Sequence, residues 1–515
     1  MGYHENRSGR DKRTYGLCQV WLGFTAIIGL LGAVHLTGQR GRAESSCPTD
    51  PAMMAEDRLF DLVIRQARVI DPESGFDQVA DIGILGNAVA AISTLCLAGK
   101  ETIDASGLVA APGFIDIDTI TYPKPATYRN VEYWKLADGV TSIAWLHDGA
   151  PSVDYILQNI AGLDHLINWG FGLRVDALYD KANSLSERVA RLDAELACGG
   201  LGIGMSPEYT PFMTTSDLIE YARIAAKHHV PVVIHTRYAF KNQELEGIRE
   251  AIEIARRSGG HVHLLHLHST GATFHMPEAL DFIDQARSQG VRVDGSVYPY
   301  SYWMTPISNP NRFKKGWQRG LGLEYSDLYF VPLRRTLTKE LFEQYHDQPG
   351  SIVVPEDTIS WESSILPALA KDYIFFGSDG SCEVPVDRAK TVFAHPRDTG
   401  NFATALALIR KRDLSLMTLL AKMTIDPACF LEASDPEFKR RGRIKVGAYA
   451  DITLFDPALV DGGGDIKDPN QTIAVSKGIV AVLVNGRIAY RQGEVAASGL
   501  GRFIRGVRNA RDSSQ

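Results

Sequence analysis

A chain of 515 residues, with 45% hydrophobic and 22% charged side chains, has room for about two to three globular domains and a sizeable core. Its net charge of -7 has no basic block behind it, which argues against nucleic acid as a partner. Six scattered cysteines without a Cys-x-x-Cys pair exclude a disulfide-dense scaffold and a thiolate zinc knuckle.

Arg7, Arg10, Lys12 and Arg13 precede an apolar run at residues 17–38 that contains no Asp, Glu, Lys or Arg. A positive stretch before such a run reads as a signal peptide or a membrane anchor over residues 1–47. The expectation is a periplasmic protein, or one anchored facing the periplasm, that touches membrane only through this segment. A start overextended ahead of "MMAEDRLFDLVI" would make it cytoplasmic instead.

From Phe60 the chain turns to short β-rich runs, "FDLVIRQARVID", "DIGILGNAVAAI" and "GLVAAPG", separated by Gly, Asn and Pro turns. The same texture returns in "YADITLFDP", "IVAVLVNGRIAY" and "RQGEV" near the other end. The pattern predicts a small β-sandwich built from both chain ends, residues 59–113 and 441–500. Between them, apolar strands alternate with helices: "GFIDID", then residues 142–148, 170–177, 202–208, 231–237, 263–269, 291–300 and 374–380. That alternation predicts an α/β fold, a (β/α)8 TIM barrel over residues 114–440. The stretch from about 303 to 372 is an insertion before the last strand, placed to cover the mouth.

In such barrels the working groups stand at the C-terminal ends of the strands. Nearly every predicted strand here ends in a polar residue: Asp118, His147-Asp148, Glu208, His235, His266 with His268, Tyr298 and Asp379. Apolar strand bodies need no such groups for packing. A single histidine at a strand end is more often a satisfied core residue, but His235, His266 and Asp379 together suit a zinc-type ion with an open position. Asp379, in "SDG", stands where a carboxylate can take a proton from water. By strand alternation His266 and His268 point to the same side. Taken alone, "HPRDTGNF" at 395–402 reads as a surface turn.

The ordered set "DLVIRQARVIDPESG", "VAAPGFIDID", "ADGVTS", "PEYTP", "VIHTRY", "LLHLHS", "VYPY", "GSDG", "HPRDTGNF", "GRIKVGAYADITLFDP" and "VLVNGR" resembles the amidohydrolase superfamily, in its D-aminoacylase (N-acyl-D-amino-acid deacylase) branch. The resemblance covers about residues 60–495. It implies a metal-bearing barrel that hydrolyses an amide-type C–N bond. Carried over by position, it puts metal ligands at His235 and His266 and the proton carrier at Asp379. The branch's first-strand His-x-His falls on Asp118 and Ile120, so both imidazoles are missing. Its cysteine ligand falls on or beside Asp148, leaving Asp148 or His147 as third ligand, with Asp118 as a further metal candidate. The lysine that helps hold the substrate carboxylate falls on His268. Substrate-binding candidates are therefore His268, Tyr298, Arg237 and Arg397.

The expected function is an exported hydrolase that uses one divalent ion, of the Zn2+ type, to activate water, with Asp379 carrying the proton. Its substrate is a small molecule: an N-acyl amino acid, or, with the lysine gone, a carbamate or cyclic amide. The competing expectation is a catalytically silent barrel kept for binding or assembly. Oligomeric state is not legible.

Overall fold

The computed structural model describes residues 54–120, 124–180, 182, 184–354, 358–389, 392–468 and 471–506, apart from the side chains of 54–58 and 148. The expected signal or anchor segment therefore lies outside the described residues.

Eight parallel strands form one sheet in sequence order: Phe114–Asp116, Val140–Ala150, Asn168–Arg174, Ile203–Met205, Val232–Ile234, Val262–Leu264, Val293–Val297 and Ile374–Phe376. They are numbered here one to eight. Strand bodies such as Val232-Val233-Ile234 are fully buried, as expected of parallel strands covered by helices outside and packed side chains inside. The outer helices obey local signals. Thr215–Lys227 opens on a capping box in which Thr214 and Asp217 each accept the other's backbone N–H, and Glu244–Ser258 ends on left-handed Gly259.

The strands are shorter than their apolar runs suggest. Strand six stops at Leu264 and the chain turns through residues 265–270, where His266 has a φ of 31°. Period-two alternation ends with the strand, and of the two histidines His266 is the one that lines the cavity described below.

Strands one and eight meet only through a bridge between Thr119 and Gly380, with Ile120 N donating to Gly380 O at 3.3 Å. Side chains complete the closure. Lys135, on the helix Tyr128–Ala137 that follows strand one, places Nζ 2.6 Å from Asp116 Oδ2 and 2.7 Å from Ser378 Oγ. Asp116 Oδ1 accepts from the backbone of Asp118 and of Ser378, and Ser378 Oγ donates to Asp118 O. Burial alone would lower the pKa of the Lys135 ammonium, but Asp116 carries it above its ordinary value.

Strands from both chain ends share one nine-stranded sheet, because Val109–Pro112 pairs antiparallel with Ile452–Phe455. The long strand Met54–Asp71 serves two parts of that sheet. Its first half pairs with Cys96–Asp104, and beyond Gln66 (φ 56°) it pairs with Val109 and Ala110. The sheet folds over its own core of Ile64, Val69, Ile82, Ile452 and Leu483. The long insertion carries a small antiparallel sheet of Met304–Pro306, Ser351–Val353, Tyr329–Phe330 and Arg335–Thr336.

Removing Lys135 would strand the buried Asp116 carboxylate. Lys135→Met is expected to lower unfolding free energy by about 3–5 kcal/mol, measured by denaturant titration. A loss below about 1 kcal/mol, the range of exposed pairs, would show that the pair does not hold the barrel closed.

Candidate active site

The C-terminal ends of the barrel strands open into a cavity of about 370 Å³ lined by His147, His235, His266, Asp379, Arg397 and Tyr209, with Trp303, Met304 and Arg312 from the insertion above. Three imidazoles converge there. His147 from strand two, His235 just past strand five and His266 past strand six each offer a ligand atom, all within 4.8 Å of one another and all buried. Asp118, His147 and Asp379 form an overlapping group of the same tightness.

Ring orientation is set from behind. His235 Nε2 lies 2.5 Å from Glu208 Oε2, and Glu208 is also paired with Arg312. Although burial favours the neutral acid, Arg312 and His235 hold the Glu208 carboxyl down to about 2. An ionised carboxylate only accepts, so Nε2 carries the hydrogen and Nδ1 keeps its lone pair. Nδ1 in turn lies 3.0 Å from His266 Nε2. On the far side of that ring, Ser269 Oγ stands 3.0 Å from His266 Nδ1 and donates to the His266 carbonyl. Imidazole nitrogens 3.0 Å apart, with a third imidazole and a carboxylate close by, are a donor set that fits a metal ion. Burial holds both rings below the ordinary histidine pKa, which keeps them neutral and able to ligate.

His147 supplies the third nitrogen. Its Nδ1 lies 2.9 Å from Asp118 Oδ1 and 3.6 Å from Asp379 Oδ1. Asp118 thus meets the cluster through His147. The side chain of Asp148, the other candidate for third ligand, lies outside the described residues. Asp379 sits at a φ of 48°, with Oδ2 3.9 Å from His266 Nε2 and 2.6 Å from Arg397 Nη1. Burial pushes its carboxyl up to about 7, against the pull of Arg397 and with the push of Asp118.

The four substrate-binding candidates part company. Arg397 lines the cavity, and its guanidinium also lies 4.9 Å over the Tyr298 ring. The segment "HPRDTGNF" is buried throughout, not a surface turn, because it forms the start of the helix Arg397–Lys411 beneath the cavity wall. Arg237 is held by Glu250 at 2.9 Å and by Met213 O, on the wall of a separate groove. Tyr298 donates its hydroxyl to Tyr302 O at 3.2 Å and is not among the residues lining the cavity. His268 packs edge-on against Tyr298, 4.1 Å between centroids, and lies off the cavity as well. Burial drives its pKa down to about 3, so it brings no positive charge in place of the lysine.

Tyr209, Arg312 and Trp303 were missed as site residues. Tyr209 stands 4.9 Å from the His235 ring, and its OH is 3.2 Å from Thr305 Oγ1. Glu208 was visible as a polar strand end, but nothing in its sequence neighbourhood indicated a histidine partner. Arg312 carried no local signal at all.

The Amidohydrolase family profile matches residues 136–489. The chain belongs to the amidohydrolase family. It is 28% identical to N-acyl-D-glutamate deacylase of Alcaligenes xylosoxydans xylosoxydans, over 84% of this chain and 94% of that protein. It is 26% identical to D-aminoacylase of the same organism, over 87% and 98%. Among solved structures, N-acyl-D-glutamate deacylase from Bordetella bronchiseptica, complexed with zinc and a phosphonate inhibitor, superposes with a TM-score of 0.70 at 22% identity, covering 87% of this chain and 100% of that one. These matches set the amidohydrolase beside N-acyl-D-glutamate deacylase and D-aminoacylase along most of its length.

Because Arg237 stands on a separate groove, Arg237→Ala is expected to leave kcat/KM within about twofold of wild type, whereas Arg397→Ala should lower it by tenfold or more, about 1.4 kcal/mol. Steady-state kinetics on both variants checks this, and equal losses would return Arg237 to the site.

Proposed function

We propose that this amidohydrolase is a metal-dependent deacylase of small N-acyl amino acids or closely related amides, working with one ion held by His147, His235 and His266. The observation that carries the reading is the convergence of three buried imidazoles from strands two, five and six beside Asp379. Nitrogen donors of this kind suit zinc. The activities named for the relatives, N-acyl-D-glutamate deacylase and D-aminoacylase, support the substrate class.

When bound, such an ion supplies a Lewis acid for the scissile carbonyl and lowers the pKa of water to about 7. The chain's own residues do the rest. Asp379 takes the proton of the attacking water and returns it to the leaving nitrogen, a role suited to a carboxyl pushed up to about 7. Asp118 lies 2.9 Å from Nδ1 of His147 and so orients its ring beside the cluster. Arg397 orients Asp379 and presents positive charge to an anionic substrate group, replacing the charge that His268 does not bring. Trp303 and Met304 cover the mouth and help exclude water.

Ile120 lines the cavity with a side chain that has no donor atom, and the second group of candidate ligands, Asp118, His147 and Asp379, shares His147 with the first. Metal analysis of purified protein is expected to give about one zinc per chain, lost on His235→Ala or His266→Ala. Asp379→Asn should keep the ion and lower kcat roughly 10²- to 10⁴-fold on an N-acyl amino acid. Two ions per chain would overturn the single-ion reading. Metal-replete protein with no ion and no hydrolysis of any N-acyl substrate would favour the silent barrel.

We also propose export, on the ground of the charged start and the apolar run at 17–38. No helix among the described residues is long and apolar enough to cross a membrane. Fractionation that finds the full-length protein in the cytosol would overturn this.

A further inference from the structure

The carboxylate of Glu208 lies at the back of the imidazole cluster, tied to more partners than a structural strand end requires. Oε2 meets His235 Nε2 at 2.5 Å, on the edge of the ring opposite the Nδ1 that faces His266. With the His235 ring between them, Glu208 cannot share an ion with His266. It can only set which way the His235 ring faces and which nitrogen holds the hydrogen.

Glu208 is itself clamped by one short loop of the insertion. Arg312 Nε donates to Oε1 at 3.1 Å, and Asn309 Nδ2 donates to the same oxygen at 3.1 Å. Asn311 Nδ2 donates to the Glu208 carbonyl. The loop is rigid in its own right, because Asn309 Oδ1 accepts the backbone N–H of both Asn311 and Arg312. The same guanidinium reaches the support of the second imidazole. Arg312 Nη2 donates to Ser269 O at 3.2 Å and to Thr270 Oγ1 at 2.6 Å, and Ser269 Oγ holds His266 Nδ1. Trp303 packs 4.4 Å beneath Arg312 and fixes it against the cavity wall.

We propose that Glu208 is a positioning residue for the metal centre, and that Arg312 makes retention of the ion depend on docking of the insertion. The inference rests on the metal-centre reading above. Partners of metal-ligating histidines orient the ring and raise its basicity, and their loss commonly costs ten- to a hundredfold in metal affinity. Here the partner of His235 comes from the turn after strand four, and the group that holds that partner comes from a loop about a hundred residues further on. A chain with the insertion undocked would keep all three imidazoles yet lose the constraint on two of them.

Zinc affinity of apo-protein, measured by competition with a chromogenic chelator, tests this without reference to turnover. Glu208→Gln is expected to bind zinc about ten- to a hundredfold more weakly than wild type, and Arg312→Met to weaken it in the same direction. Arg237→Ala, outside the cavity, should match wild type. Far-ultraviolet circular dichroism and melting of the apo-proteins report the fold separately. Should Glu208→Gln fail to fold, Glu208→Asp, which keeps the charge but shortens the reach by one methylene, is measured the same way with the same expectation. A folded variant that holds zinc as tightly as wild type overturns the proposal, as does a loss of apo-protein stability with zinc affinity unchanged. Wild-type protein that binds no zinc overturns the metal-centre reading itself, which keeps the two failures distinct.

Discussion

The buried contact between Lys135 and Asp116 is the constraint on which the active end of the barrel depends. An eight-stranded sheet must close for its strand ends to face one another, yet strands one and eight share only a bridge. Lys135 supplies the missing attraction, and Asp116 and Ser378 turn it into a network that fixes the backbone of both strands. Asp118 is two residues from Asp116, and Asp379 is the neighbour of Ser378. The ion pair at the closure therefore sets the separation of two carboxylates that meet at His147. A buried pair of this kind adds little net stability beside an apolar alternative, but losing one partner is costly. What it contributes here is position.

The cluster beyond the closure is built from groups that burial alone would make unfavourable. His266 and Asp379 occupy left-handed backbone conformations, each costing of order 1–3 kcal/mol for a residue other than glycine. Asp379 is a carboxylate beside another carboxylate, relieved by Arg397. Two buried imidazoles bring their nitrogens to 3.0 Å of one another. Nitrogen and carboxylate donors crowded together in this way repel one another less with a cation between them, which is why the cluster suits a metal ion.

A second polar cluster joins the composite sheet to the barrel. Asn168, at the start of strand three, donates to Asp451 Oδ2 and accepts from Asn485 Nδ2, while Arg441 pairs with Asp451 in full burial. Asp138, in "ADGVTS", accepts the backbone N–H of Phe402 and Ala403 and the hydroxyl of Ser476. It thereby seats the kinked helix that begins with Arg397. Motifs that read as family landmarks thus have a mechanical task, which is to fix the elements that bring Arg397 and Asp379 together.

By itself the sequence determined the order of strands and helices, because parallel strands buried on both faces leave unmistakable apolar runs, and the polar residues that end them have no packing reason to be there. His235, His266 and Asp379 were legible for that reason. The tertiary structure alone decided which polar ends meet. Arg237 and Arg397 look alike in sequence, but a helix carrying Glu250 captures one, and barrel closure turns the other inward. His266 and His268 look equivalent, but the strand stops at Leu264 and His266 is the one that lines the cavity. Glu208 and Arg312 are far apart along the chain, as are Asp116 and Ser378. Contacts of that span leave no periodicity to read, since they are fixed by how the barrel closes and where the insertion lands upon it.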